Sequence, residues 1–110
     1  MKLINSSVRP HKVDDVRVAL ERLTIAGMTV TDVRGHGRQK GHTAVYRGKE
    51  YSVTLLPKVE IEVVVPDNVA EDVIEAIIAA ARTGEIGDGR VFVLPVEHSY
   101  NIRTGERDAN

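Results

Sequence analysis

Three stretches of this chain have the composition of an anion cradle: Gly35-His36-Gly37-Arg38-Gln39-Lys40-Gly41, Thr83-Gly84-Glu85-Ile86-Gly87-Asp88-Gly89-Arg90 and Arg103-Thr104-Gly105-Glu106-Arg107. Glycine lets backbone N–H groups approach phosphate or carboxylate oxygens closely, and guanidinium groups add bidentate, charge-assisted bonds. Taken singly, each reads as a solvated turn. None is a Walker motif, and Gly35-x-Gly37 lacks the third glycine and the strand-to-helix setting of a dinucleotide fingerprint. The first opens a longer polar stretch, 34–56, with glycines at 35, 37, 41 and 48 and with Arg34, Arg38, Lys40, Arg47 and Lys49 against Glu50 up to residue 50. It is too polar for a core yet lies mid-chain, so it is expected to project as a functional loop.

Catalytic groupings are sparse. The chain has no cysteine, and His11, His36, His42 and His98 lack zinc-site spacing. Asp14 and Asp15 suit the start of a helix, and Glu60 and Glu62 the outer or intersubunit face of a strand, so neither pair reads as an acid and base. One phenylalanine and three tyrosines give little material for stacking RNA bases.

The elements that must position these segments follow from periodicity. Met1 to Val8 reads as a short strand interrupted by Asn5, Ser6 and Ser7. Val13, Val16, Leu20 and Leu23 recur at helical spacing and predict a helix over about 12–25, with Gly27 as its C-terminal cap. Met28 to Val33 is rich in β-branched residues and reads as a strand. Val59-Glu60-Ile61-Glu62-Val63 alternates with period two, which predicts a half-buried strand. Asn68 and Glu71 have capping-box spacing ahead of a helix over about 68–81 carrying Val69, Val73, Ile77 and Ala81. Val91 to Leu94 is a short apolar strand, and 98–110 is a polar tail.

Strand, helix, strand, long loop, strand, helix, strand is a duplicated βαβ unit, with Pro10 and Pro66 at matching places. The expected fold is α+β and ferredoxin-like, a four-stranded antiparallel sheet with both helices on one face. The other face then needs a cover, and a homo-oligomer supplies one. A length of 110 residues fits a single domain. A hydrophobic fraction of 42% argues against disorder, and a net charge of −1 argues against a general nucleic-acid binder. The absence of cysteine, of a signal-peptide pattern and of an apolar run near ~20 residues fits a cytoplasmic protein.

Read in register, the motifs Gly35-His-Gly-Arg-Gln-Lys-Gly-His-Thr43, Tyr46-Arg-Gly-Lys-Glu-Tyr51, Leu56-Pro-Lys58, Ala81-Arg-Thr-Gly-Glu-Ile-Gly-Asp-Gly-Arg90 and Arg103-Thr-Gly-Glu106 closely resemble the nitrogen-regulatory PII signalling family. The resemblance spans essentially the whole chain. It implies a homotrimer that senses ATP or ADP together with 2-oxoglutarate, with nucleotide in the cleft between adjacent subunits. The long loop would be the family's T-loop (about 37–55), the second glycine-rich turn its B-loop (about 82–90), and 98–110 its C-terminal loop. The matching nucleotide-binding residues are Thr29, Gly35, Gly37, Arg38, Gln39, Val64, Gly87, Asp88, Gly89, Arg90 and Arg103, with Thr29 and Val64 beside the adenine. Those for 2-oxoglutarate are Gln39, Lys40, Gly41 and Lys58, where Gln39 would ligate a Mg²⁺ bridged to ATP phosphates and Lys58 would pair with the distal carboxylate. Hard Mg²⁺ prefers such oxygen donors.

The same resemblance makes the ammonium transporter and nitrogen-metabolism enzymes the expected partners. Arg47 would meet a transporter pore and draw the cytoplasmic protein to the membrane. Tyr51 matches a tyrosine that a nucleotidylyltransferase modifies in some members, with an unmodified contact residue as the alternative, and Lys49 stands where others carry a phosphorylated serine. The chain departs from the family pattern at Asn5-Ser6-Ser7, His11, His36, Arg90 and above all Asn101, where arginine is usual. Two other readings stay open: a divergent paralogue with altered or lost effector sensing, and a small phosphate-ester or acyl-phosphate hydrolase using Arg38 and Asn101.

Overall fold

In the computed structural model, residues 1–25, 27–35, 43–46, 49–52 and 55–109 are described, those at 43–46 and 49–52 by backbone pairing alone. Four strands form the main sheet: β1 (Lys2–Val8), β2 (Thr29–Gly35), β5 (Leu56–Val65) and β6 (Gly89–Pro95), in the order β2-β5-β1-β6 with every neighbouring pair antiparallel. Two helices, α1 (Val13–Arg22) and α2 (Asp67–Ala81), cross over between them. The architecture is the ferredoxin-like α+β fold that the duplicated pattern predicts.

Period-two alternation decides which face is core. In β5, Val59, Ile61, Val63 and Val65 are buried, while Lys58, Glu60 and Glu62 are half-buried on the other side and Val64 is exposed there. Opposite them in β1, Ile4, Ser6 and Val8 point inward. Val16 and Leu20 of α1 and Ala70, Val73, Ile77 and Ala81 of α2 complete the core. The polar intruder is Ser6, fully buried, whose hydroxyl donates to the Ile61 carbonyl at 3.3 Å. Asn5 and Ser7 lie on the uncovered face, where Asn5 Nδ2 donates to Glu62 Oε1 at 3.1 Å.

Several boundaries differ from the periodic reading. The first helix starts as a 3-10 turn, Pro10–Lys12, and ends at Arg22. Its cap is Thr24 at φ 62°, not Gly27. Ile25 N–H bonds the Leu20 carbonyl and Thr24 N–H the Glu21 carbonyl, a Schellman closure with a β-branched residue in the left-handed position. The Asn68–Glu71 capping box does not form, because Pro66 occupies the N-cap in extended backbone and α2 starts one residue earlier, at Asp67. The Asp67 carboxylate instead takes the N-terminal ammonium at 2.7 Å. The long loop also contains structure that its composition hid, a hairpin of β3 (Thr43–Tyr46) and β4 (Lys49–Ser52).

Candidate functional site

Most of the described site candidates gather at one end of the sheet, where β5 begins and β6 begins. The turn 83–88, between α2 and β6, is closed by the Asp88 carboxylate. Its Oδ2 accepts the backbone N–H groups of Thr83 and Gly84, each at 2.9 Å, and its Oδ1 accepts the Thr83 hydroxyl and Arg9 Nε, the latter at 3.0 Å. These donors, the Thr83 hydroxyl foremost, hold the Asp88 carboxyl well below the usual carboxylate range although partial desolvation opposes them. The same Arg9 sends Nη2 to the Ile86 carbonyl at 3.0 Å.

Lys58 approaches from β5 and donates its ammonium to the Gly87 carbonyl. Burial pushes its pKa down, the nearby Arg9 guanidinium pushes in the same direction, and Asp88 opposes both. The Lys58 stem runs beside Gly35, where a Cβ would lie 3.2 Å from Lys58 Cγ. Gly89 permits the closest approach at this end. At φ 109° it pairs with Val8, and a Cβ there would lie 1.7 Å from the Ser7 carbonyl oxygen, so no side chain fits without parting β6 from β1. Arg90 follows on the uncovered face, opposite Ser7.

Thr29 and Val64 lie at the other end of the sheet. Thr29 pairs with Glu62, and Val64 pairs with Leu3, which in turn faces Leu94 near the far end of β6. Lys58 and Val64 are six residues apart on one strand, roughly 20 Å. Arg103 belongs to the tail that leaves from Pro95, the same far end. Its guanidinium has no hydrogen bond or ion pair among the described residues, and the residue is exposed. The expected site is therefore split within one chain into a Lys58, Gly87–Arg90 end and a Thr29, Val64 end, from which the tail that carries Arg103 departs.

Gly37, Arg38, Gln39, Lys40, Gly41 and Arg47 lie outside the described residues. Tyr51 is in β4, paired with Ala44. A cleft of about 390 Å³ adjoins the turn, walled by Ile74, Ile77 and Ala81 of α2 and by Val91 and Val93 of β6, with Asp88 at its rim. Among the described residues no three His, Cys, Asp or Glu side chains gather as a metal site.

Two contributors escaped the sequence reading. Thr83 is legible in hindsight, since a hydroxyl residue five positions before an aspartate across two glycines can close such a turn. Arg9 has no such signal, because it reaches its partner Asp88 across 79 residues of chain.

Known proteins are similar in sequence to this chain over nearly its whole length. The family model described as nitrogen regulatory protein P-II matches residues 1–106. The chain is 57% identical over 108 residues to a Haemophilus influenzae protein named nitrogen regulatory protein P-II, covering 98% of this chain and 96% of that one. It is 56% identical over 108 residues to nitrogen regulatory protein P-II 1 of Escherichia coli K12, with the same coverage. A Rhizobium etli nitrogen regulatory protein P-II is 50% identical over 109 residues, covering 99% and 97%. Matches of this extent and identity show that the chain belongs to the nitrogen regulatory protein P-II family.

Proposed function

We propose that this chain is a homotrimeric signal transducer that binds ATP or ADP and, with Mg·ATP, 2-oxoglutarate, and that its 37–55 loop carries the state to nitrogen-metabolism targets. The observation that carries this reading is the division of the candidate residues between opposite ends of the sheet. One chain's Lys58, Gly87, Asp88, Gly89 and Arg90 would meet a neighbour's Thr29, Val64 and Arg103, so each site would need two copies. Leu3, Val64, Phe92 and Leu94 share the uncovered face, and Val64, Phe92 and Leu94 are exposed there, which supports subunit packing against it.

The chemistry of the first end suits anions. Arg9 and Asp88 neutralise each other, which leaves the Lys58 ammonium and the Arg90 guanidinium as the cationic surplus. An ammonium has three donors, so Lys58 can keep the Gly87 carbonyl and still receive a carboxylate. A Mg²⁺ bound together with ATP would take Gln39 as its protein oxygen donor, a ligand type that a hard cation prefers. The remaining members of the set, Gly35, Gly37, Arg38, Lys40 and Gly41, would line the same cleft from the loop base. Arg47 would meet a transporter and Tyr51 a nucleotidylyltransferase.

Asn101 Oδ1 accepts Thr104 N–H within the tail, which gives a structural role to the residue that the hydrolase alternative would use. Calorimetric titration of the purified protein with ATP, with ADP, and with 2-oxoglutarate in the presence and absence of Mg·ATP tests the proposal. Nucleotide binding, with 2-oxoglutarate binding only alongside Mg·ATP, is the expected result. Failure of both nucleotides to bind at millimolar concentration overturns it, and steady release of phosphate from ATP or an acyl phosphate replaces it with the hydrolase reading.

A further inference from the structure

The tail after β6 is a folded object. Tyr100 and Arg107 form a β-bridge, and outside it Ser99 and Asp108 bond twice, Ser99 Oγ to Asp108 Oδ2 at 2.7 Å and Asp108 N–H to the Ser99 carbonyl at 2.8 Å. Inside the bridge every closing bond runs through Asn101 or Thr104. Asn101 N–H donates to the Glu106 carbonyl at 2.8 Å, the Asn101 carbonyl accepts Gly105 N–H at 2.7 Å, and Asn101 Oδ1 accepts Thr104 N–H at 3.2 Å. Thr104 Oγ1 in turn accepts Glu106 N–H at 3.2 Å. The residues enclosed at the tip are Ile102 and Arg103.

The two arginines of this tail are in opposite situations. Arg107 is committed: its guanidinium stands 5.5 Å from the Tyr100 ring centroid and donates Nη2 and Nε to the Tyr100 hydroxyl at 3.0 and 3.3 Å. Arg103 has no partner among the described residues, although Glu106 sits three positions away. The turn that Asn101 closes thus carries one cation without a partner among the described residues, while Tyr100 keeps the other occupied. An exposed arginine on a loose chain loses much of its binding free energy to ordering, whereas one on a closed turn loses less.

We infer that Asn101 is a positioning residue for anion binding: through its side-chain oxygen and both main-chain groups it fixes the turn that presents Arg103 to nucleotide phosphate. This rests on the nucleotide reading above and deepens it, since it makes Arg103 the single guanidinium that the tail offers to phosphate. Residue 101 acts through the backbone and contributes no charge of its own. Its side-chain oxygen holds Thr104 N–H, which is the contact the positioning role requires.

The test is calorimetric titration with ATP of the full-length wild type, Asn101→Leu, Asn101→Ser, Arg103→Ala and the Asn101→Leu/Arg103→Ala double variant. Thermal unfolding of each variant serves as a check that the fold is intact. Leucine has nearly the shape of asparagine but accepts no hydrogen bond; serine keeps a short acceptor able to close a similar turn. Arg103→Ala is expected to weaken ATP roughly ten- to a hundredfold, and Asn101→Leu roughly three- to tenfold. Asn101→Ser should recover most of the loss. The double variant should bind no more weakly than Arg103→Ala alone, because a residue that acts by positioning Arg103 has nothing left to position. Independent, additive losses overturn the inference, as does unchanged affinity in Asn101→Leu when Arg103→Ala is impaired. If the wild type itself binds no ATP, the nucleotide reading fails and this inference falls with it; ATP binding that ignores both residues overturns the inference alone.

Discussion

The turn at 83–88 and the turn at 101–106 are built from similar residues and fastened in different ways. Both contain a threonine and glycine beside arginine, and both are candidates for holding phosphate. The first is bolted to the sheet: Arg9 reaches Asp88 across 79 residues and Lys58 reaches Gly87 across 29. The second is closed by partners no more than nine residues apart. One turn therefore inherits its geometry from the tertiary fold, while the other carries its geometry in its own segment. Long-range fastening makes a site as rigid as the sheet, and local fastening lets a segment keep its shape independently of the sheet.

The largest effect should come from breaking the scaffold under the first turn. Gly89→Ala places a Cβ where the Ser7 carbonyl stands, in a backbone conformation that alanine rarely adopts. The expected loss is roughly 3 kcal/mol or more of unfolding free energy, measured by urea denaturation. Next is Asp88→Ala, which leaves Thr83 N–H, Gly84 N–H, the Thr83 hydroxyl and Arg9 Nε without their acceptor, at about 1–3 kcal/mol because the turn is open enough for water to serve some of them. Amide exchange at residues 83 and 84 should accelerate while exchange at Thr104 and Glu106 stays put. Coupled acceleration in the tail would show that the two turns are not separately fastened.

Acid sharpens the same contrast. Asp88 has a folded-state pKa depressed below its ordinary 3.8, first by the Thr83 hydroxyl and then by backbone N–H groups and Arg9. A depressed carboxyl contributes stability that is fully present above the unfolded pKa and is lost as pH falls through the folded one. The wild type should therefore lose stability steadily below about pH 4, and Asp88→Asn should show a flatter profile through that window. A profile for Asp88→Asn that superimposes on the wild type would place the acid sensitivity elsewhere. The Lys58 pKa is lowered as well, but there the shift disfavours the charged form: burial and the Arg9 charge cause it, so Arg9→Ala should raise the Lys58 ammonium pKa by removing the repulsion. Titration of the Lys58 side-chain NMR signal would read this directly.

What could be read in the residues divides along the same line. The alternation in Val59 to Val63 named the buried and uncovered faces of β5, and the spacing of Val73, Ile77 and Ala81 named the inner stripe of α2, because both patterns are local. The motifs around Gly87 and Arg103 marked both of these segments as candidates. The fastening of the first turn was invisible, since nothing near Arg9 announces a carboxylate 79 residues on. Thr24 was missed for a different reason: glycine is the usual left-handed cap, and Gly27 drew the assignment, but the helix stopped earlier and the β-branched residue took the strained position. The hairpin of β3 and β4 was hidden because strands of four residues among glycines and charges are too short to show a period-two alternation.

The smallest expected effect is the most informative about the tail. Tyr100→Phe keeps the ring beneath the Arg107 guanidinium at 5.5 Å but removes the hydroxyl that accepts Nη2 and Nε. Because Tyr100 is 55% exposed, water can replace the lost acceptor, and global stability should change by no more than about 0.5 kcal/mol. The change should appear only locally, as faster exchange of Arg107 Nε–H, with the bonds of Asn101 to Thr104 and Gly105 preserved and the amides of Thr83 and Gly84 undisturbed. A tail that unravels on loss of this hydroxyl, with Thr104 N–H exchanging as freely as an open chain, would mean that the arginine clamp and not Asn101 closes the turn. Movement at Thr83 and Gly84 would mean instead that the two turns communicate within one chain, and the separation between a sheet-fastened end and a self-fastened end would no longer hold.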